Sequence, residues 1–219
     1  MDVSKLVFLI FLADFVWDLI NVWKGDKHKR YLTKSLLMPL LLVFYITCAE
    51  NPNNYVIAAL VSGFFGDVFL LVDEKKYCFN MGVISFLTGH IFYAIAFIKA
   101  LGENPQVSPW YVLLILPYVI YGICAYKIIG KIGKNIGNLK PAIITYIFVI
   151  LFTSITCLFV LVSGKHELFL SYLGTIAFIV SDSTLGYSMF VHKNKYSGIL
   201  VMLTYVAAQM LIVSGFLRI

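Results

Sequence analysis

The 219-residue chain is 61% hydrophobic and 13% charged, with a mean hydropathy of +0.90 and a net charge of +6. That composition excludes a soluble globular protein and leaves room for about eight membrane spans with short links, but not for a separate soluble domain. The basic excess sits in those links, as topology signals do, which argues against nucleic acid as a partner.

The apolar runs predict an all-α integral membrane fold of eight transmembrane helices, residues 1–219 forming a single transmembrane domain. The first helix, about 3–23, lacks a small-residue cleavage signal and reads as a retained span. Its Asp14, Asp18 and Asn21 share one face, a stripe that reads as a cavity lining or a cap. The second, about 31–49, starts with Lys34 and contains Pro39. Lys34 reads either as a cation snorkelling to the headgroups or as one that holds a substrate phosphate or pairs with Asp67. The third, about 54–73, carries Asp67 some two turns from its basic end. The fourth, about 78–99, carries His90, the one histidine inside a span, since His28, His166 and His192 fall in links. The fifth, about 108–129, includes Pro117, and the sixth, about 139–163, opens on Lys140 and Pro141, where proline is tolerated. The seventh, about 168–191, holds Asp182 behind Ser181. On the eighth, about 196–217, Tyr205 and Gln209 stand four apart on one face, with Thr204 flanking them.

Lys and Arg divide sharply between the links. The odd-numbered links hold Lys24, Lys27, Lys29, Arg30, Lys75, Lys76, Lys127, Lys131, Lys134, Lys140, Lys193 and Lys195, whereas the even-numbered ones hold Lys99 and Lys165. The positive-inside rule then places the odd links in the cytoplasm and both termini outside. The membrane is the plasma membrane in a bacterium, or an internal membrane in a eukaryote. Cys48, Cys78, Cys124 and Cys157 form no CxxC pattern and read as packing residues. The halves 1–100 and 108–219 carry matching fragments, "FFGDVFLL" and "LTGHIFY" against "IVSDSTLG" and "LTYVAAQ". Asp67 precedes His90 by the same interval that separates Asp182 from Tyr205, which predicts a four-plus-four duplication of parallel orientation with its aspartates at similar depth.

A carboxylate within a span costs at least about 2.5 kcal/mol on insertion scales, so Asp67 and Asp182 read as functional groups facing a bundle interior or a wet cavity. One histidine and two aspartates without H-x-x-x-H or H-E-x-x-H spacing do not make a metal site, and no cofactor is expected. His90 reads as a hydrogen-bond donor or a proton carrier.

These residues together resemble the YhhN-type lysoplasmalogenase family of eight-span membrane proteins. The match rests on Lys34; Gly66 and Asp67; Gly89, His90, Tyr93, Ala96 and Phe97; Ser181 and Asp182; and Thr204, Tyr205, Ala208 and Gln209. It runs over nearly the whole chain and departs at Ser35, where many members carry proline. The resemblance implies hydrolysis of the vinyl ether bond of a lysophospholipid substrate in membrane lipid, releasing a fatty aldehyde and glycerophosphoethanolamine or glycerophosphocholine. It implies Asp67 and Asp182 as a catalytic pair. His90, Tyr205 and Gln209 are then orienting donors, Lys34 a phosphate ligand, and Tyr93, Thr204 and Ser181 supporting residues.

Two other readings compete. Parallel repeats with intramembrane acids also describe a proton-coupled transporter, although Pro39 and Pro117 are not at equivalent places. An aspartyl intramembrane protease would want glycine at Phe64 and a Pro-Ala-Leu stretch that this chain lacks.

Overall fold

A computed structural model describes residues 2–72, 76–102, 105, 108–194 and 196–219. Among them, eight helices are long and apolar enough to cross a membrane, and no strand occurs. Their α-helical parts are α1 (Val3–Lys24), α2 (Lys27–Cys48), α3 (Asn54–Leu71), α4 (Lys76–Leu101), α5 (Leu116–Lys131, within a fifth span of Pro109–Lys131), α6 (Lys140–Val162), α7 (Phe169–Phe190) and α8 (Ser197–Phe216). Of the basic link residues, Lys75 and Lys195 lie outside the described residues, as do the side chains of Lys76 and Lys134.

Two boundaries differ from the sequence expectation, each for a local reason. The second helix starts at Lys27 because Asp26 caps it: the Lys29 backbone N–H donates to Asp26 Oδ1 at 3.1 Å. That same bond holds the Asp26 carboxyl below its ordinary range. Gly25, at φ 70°, supplies the left-handed residue that ends α1 and turns the chain into α2. The fifth span is not one α-helix. Pro109–Ile115 is 3-10 helix and α5 begins only at Leu116. Pro117 has no N–H to give the Leu113 carbonyl and its ring crowds that oxygen, so the Leu116 N–H closes the tighter bond to Leu113 instead.

Neighbouring contacts run from α1 through α2, α3, α4, α6, α7 and α8 and return to α1, while α5 leans on α6 from outside this ring. In lipid the apolar effect does not drive helices together, so close approach rests on small residues and interhelical hydrogen bonds. The α7–α8 pair shows both. Gly174 lies against the Ala208 carbonyl and Gly215 against the Ser171 backbone, and Ser171 Oγ donates to the Ile212 carbonyl at 2.8 Å. In the α3–α4 pair, Gly66 makes room for the Phe86 ring and Gly89 for the Ala59 carbonyl. The residues turned inward on α3 are Val56, Ala59, Leu60, Gly63, Gly66 and Asp67, a stripe of i+3 and i+4 steps that carries Asp67 into the ring. On α1 the buried residues are Phe11, Asp14, Asp18 and Asn21, so its polar stripe faces the bundle and not the lipid.

Candidate active site

Asp67 is 1% exposed. Its Oδ2 accepts a hydrogen bond from the Tyr205 hydroxyl on α8 at 2.8 Å, and the Lys34 ammonium on α2 stands 3.1 Å from Oδ1. Behind this pair the chain keeps Tyr205 in place. Gln209, one turn further along α8, accepts from the buried Tyr93 hydroxyl at 2.5 Å. Gly63 allows both α8 side chains to approach α3: a Cβ there would stand 3.2 Å from Gln209 Nε2 and 3.4 Å from the Tyr205 hydroxyl. Gln209 stands behind the Tyr205 phenol and does not line the cavity itself.

Asp182 is the more accessible of the two acids, its side chain 19% exposed. Its Oδ2 accepts from the Tyr146 hydroxyl on α6 at 2.6 Å. His90 Nε2 stands 3.6 Å from the same oxygen, beyond hydrogen-bond reach. The His90 ring is set edge-on between Tyr146, at 5.7 Å between centroids, and Phe178, at 4.8 Å. Phe178 in turn meets Tyr205 at 5.7 Å. A continuous aromatic contact thus runs from the histidine beside Asp182 to the phenol on Asp67.

Both acids line one cavity of about 740 Å³, along with Arg30, Lys34, Tyr146, Ser181, His192, Lys193 and Tyr205. Ser181, behind Asp182, donates to the Val201 carbonyl at 3.2 Å and ties α7 to α8 at this level. Thr204 is not brought in: its hydroxyl is spent on the Leu200 carbonyl of its own helix at 2.7 Å. The α1 stripe is not a lining either. Asp18 Oδ1 accepts from Thr33 Oγ1 at 2.8 Å and faces Arg30 Nε at 3.4 Å, so the stripe supports α2 and the arginine from behind.

Sequence reasoning missed Tyr146, which is one of fourteen tyrosines and has no local signal. It also took Arg30 for a topology charge only, since position in a link looks the same whether a side chain faces a cavity or bulk water. The Lys34 alternatives are resolved in part, because its ammonium is the counter-charge of Asp67. Among the described residues, no three His, Cys, Asp or Glu side chains gather as a metal site requires.

Comparison with known proteins adds two findings. The sequence model of the YhhN family matches residues 29–216. The protein named lysoplasmalogenase TMEM86A from Bos taurus is 28% identical over 162 residues, covering 72% of this chain and 62% of that protein. The chain thus spans under two thirds of the length of this curated relative. No solved structure matches the present chain.

Proposed function

The chain belongs to the YhhN family, and from that premise we propose that it is a lysoplasmalogenase, hydrolysing the vinyl ether bond of an alkenyl lysophospholipid within the membrane. One observation carries the reading. Two aspartates that hydrocarbon would exclude line a single cavity, each supplied with its own phenolic donor, Tyr205 for Asp67 and Tyr146 for Asp182. The name of the relative, a lysoplasmalogenase, supports the substrate class proposed.

The chemistry asks for these parts. A vinyl ether is electron-rich at the carbon beta to oxygen, and protonation there yields an oxocarbenium ion. Water adds to the carbon alpha to oxygen and loses a proton, and the hemiacetal collapses to aldehyde and glycerol hydroxyl. Asp182, which reaches the cavity and has Oδ1 unengaged by Tyr146, is assigned as the proton donor. Asp67, with Lys34 as its counter-charge, is assigned as the carboxylate that faces the cation and takes the proton from water. His90 positions Tyr146 and Phe178 around Asp182. Lys34 has three N–H donors and gives one to Asp67, so with Arg30, His192 and Lys193 it can receive the phosphate. This basic end of the cavity is built from the start of α2 and the link between α7 and α8, the end of the bundle that the positive-inside rule predicts to be cytoplasmic.

The deciding experiment is aldehyde release by the purified protein in detergent from an alkenyl lysophospholipid, beside its saturated alkyl-ether counterpart. Aldehyde from the vinyl ether alone is the expected result. No aldehyde from a folded, monodisperse protein overturns the assignment.

Tyr146→Phe separates the role of the phenol from that of the fold. It removes a hydrogen bond to the neutral carboxyl group assigned as proton donor, worth about 0.5–1.5 kcal/mol, so kcat should fall roughly 2- to 10-fold with KM little changed. An unchanged kcat would remove Tyr146 from the mechanism.

A further inference from the structure

Few residues of α5 are buried: Tyr118 and Ile129 alone among its described side chains. Two phenols tether it to the bundle. The Tyr118 hydroxyl lies 2.9 Å from Ser154 Oγ on α6, and the Tyr121 hydroxyl 2.6 Å from Ser183 Oγ on α7, the residue after Asp182. Between these tethers and the ring is a second cavity, of about 520 Å³. Its walls come from α4, α5, α6 and α7, with Leu70 of α3, and are mainly apolar, with Val83, Ala125, Ile129, Ile147 and Ile150 among them. Asp182 and Tyr146 line this cavity as well as the polar one, whereas Lys34, Asp67 and Arg30 line only the polar one.

A vinyl ether joins the polar and apolar parts of its lipid, so a protein that cuts it must hold both parts on either side of the reacting group. We propose that the apolar cavity inside α5 is the site of the lipid's single hydrocarbon chain, with Asp182 at the junction between chain and headgroup. The proposal rests on the functional reading above for the identity of the lipid. A chain that leaves the bilayer for this cavity exchanges one apolar setting for another, so burial contributes little to affinity. The headgroup end supplies the binding, and the cavity selects by shape. Ala125 is the small residue through which shape acts, because it stands on α5, where few neighbours would be displaced by a larger side chain.

The test is photo-crosslinking of the wild-type protein with a saturated alkyl-ether lysophospholipid bearing a diazirine at the end of its chain. Such a probe is not cleaved. Labelling that maps to residues 124–129 and 147–150, and that unlabelled alkyl-ether lysophospholipid suppresses, is the expected result. Labelling on α1 or α2, or spread over all lipid-facing helices without competition, overturns the proposal. The second measurement is the ratio of turnover of a long-chain to a short-chain vinyl ether lipid, which Ala125→Trp should lower at least about tenfold. An unchanged ratio in a folded variant also overturns it. The two readings fail separately. Crosslinks in the cavity without aldehyde release would retain the chain site and remove the enzymatic assignment; aldehyde release with crosslinks elsewhere would do the reverse.

Discussion

Asp67→Asn and Asp182→Asn should each lower aldehyde release by about 10²- to 10⁴-fold, the range for loss of a general acid or base. Asparagine keeps the shape of each side chain and a carbonyl oxygen that Tyr205 or Tyr146 can still donate to, so the local hydrogen bonds survive. The two variants differ in stability. Asp182 is partly exposed and its loss leaves no buried cation behind, so the melting temperature should hold. Asp67→Asn leaves the Lys34 ammonium, 12% exposed, without its counter-charge, and breaking a buried pair from one side costs about 3–5 kcal/mol. Adding Lys34→Met to Asp67→Asn should restore the melting temperature but not the activity, because the double variant removes both charges. Near-normal turnover in either aspartate variant would end the pair mechanism. Restored activity in the double variant would show that the Asp67 effect was one of folding.

The second large effect concerns the packing that sets the site. A methyl group at Gly174 would stand 2.7 Å from the Ala208 carbonyl oxygen and 2.9 Å from the Ile212 amide nitrogen. Both are backbone atoms of α8 and cannot swing aside. Gly174→Ala should therefore cost about 1–3 kcal/mol, by forcing α7 and α8 apart. It should also reduce activity, since α7 carries Asp182 and α8 carries Tyr205. Gly186 on the same helix is the control: a Cβ there meets nothing within 4 Å, so Gly186→Ala should leave the melting temperature unchanged or raise it. Equal melting temperatures for wild type and Gly174→Ala would show that the two helices are not in the close contact on which this account of their pairing depends.

The limits of the sequence reading are visible at particular residues. The start of α2 was legible in principle, since Asp26 is an N-cap residue type placed just ahead of the helix, but the basic run 27–30 masked it as a link. The 3-10 stretch before α5 was signalled by Pro117, although a hydropathy pattern does not distinguish the two helix types. Thr204 shares a neighbourhood with Tyr205 in sequence and not in space, because adjacent residues on a helix point about 100° apart.

By itself the sequence determined the eight apolar spans, the family, and which spans carry an acid, a histidine or a glutamine. Those are properties of single segments: a run of about twenty apolar residues must cross the membrane, and a carboxylate within it is costly wherever its partners lie. Only the tertiary structure decided which groups meet. Lys34 is the counter-charge of Asp67, Tyr205 reaches Asp67 across 138 positions, and Tyr146, not His90, hydrogen-bonds Asp182. It also decided that α5 stands outside the ring, with an apolar cavity behind it that touches the same aspartate. The reason is that lipid is as apolar as the side chains facing it, so hydropathy does not encode which helices pair. Small residues and hydrogen bonds choose the neighbours, and their meeting across the bundle has no local period to be read.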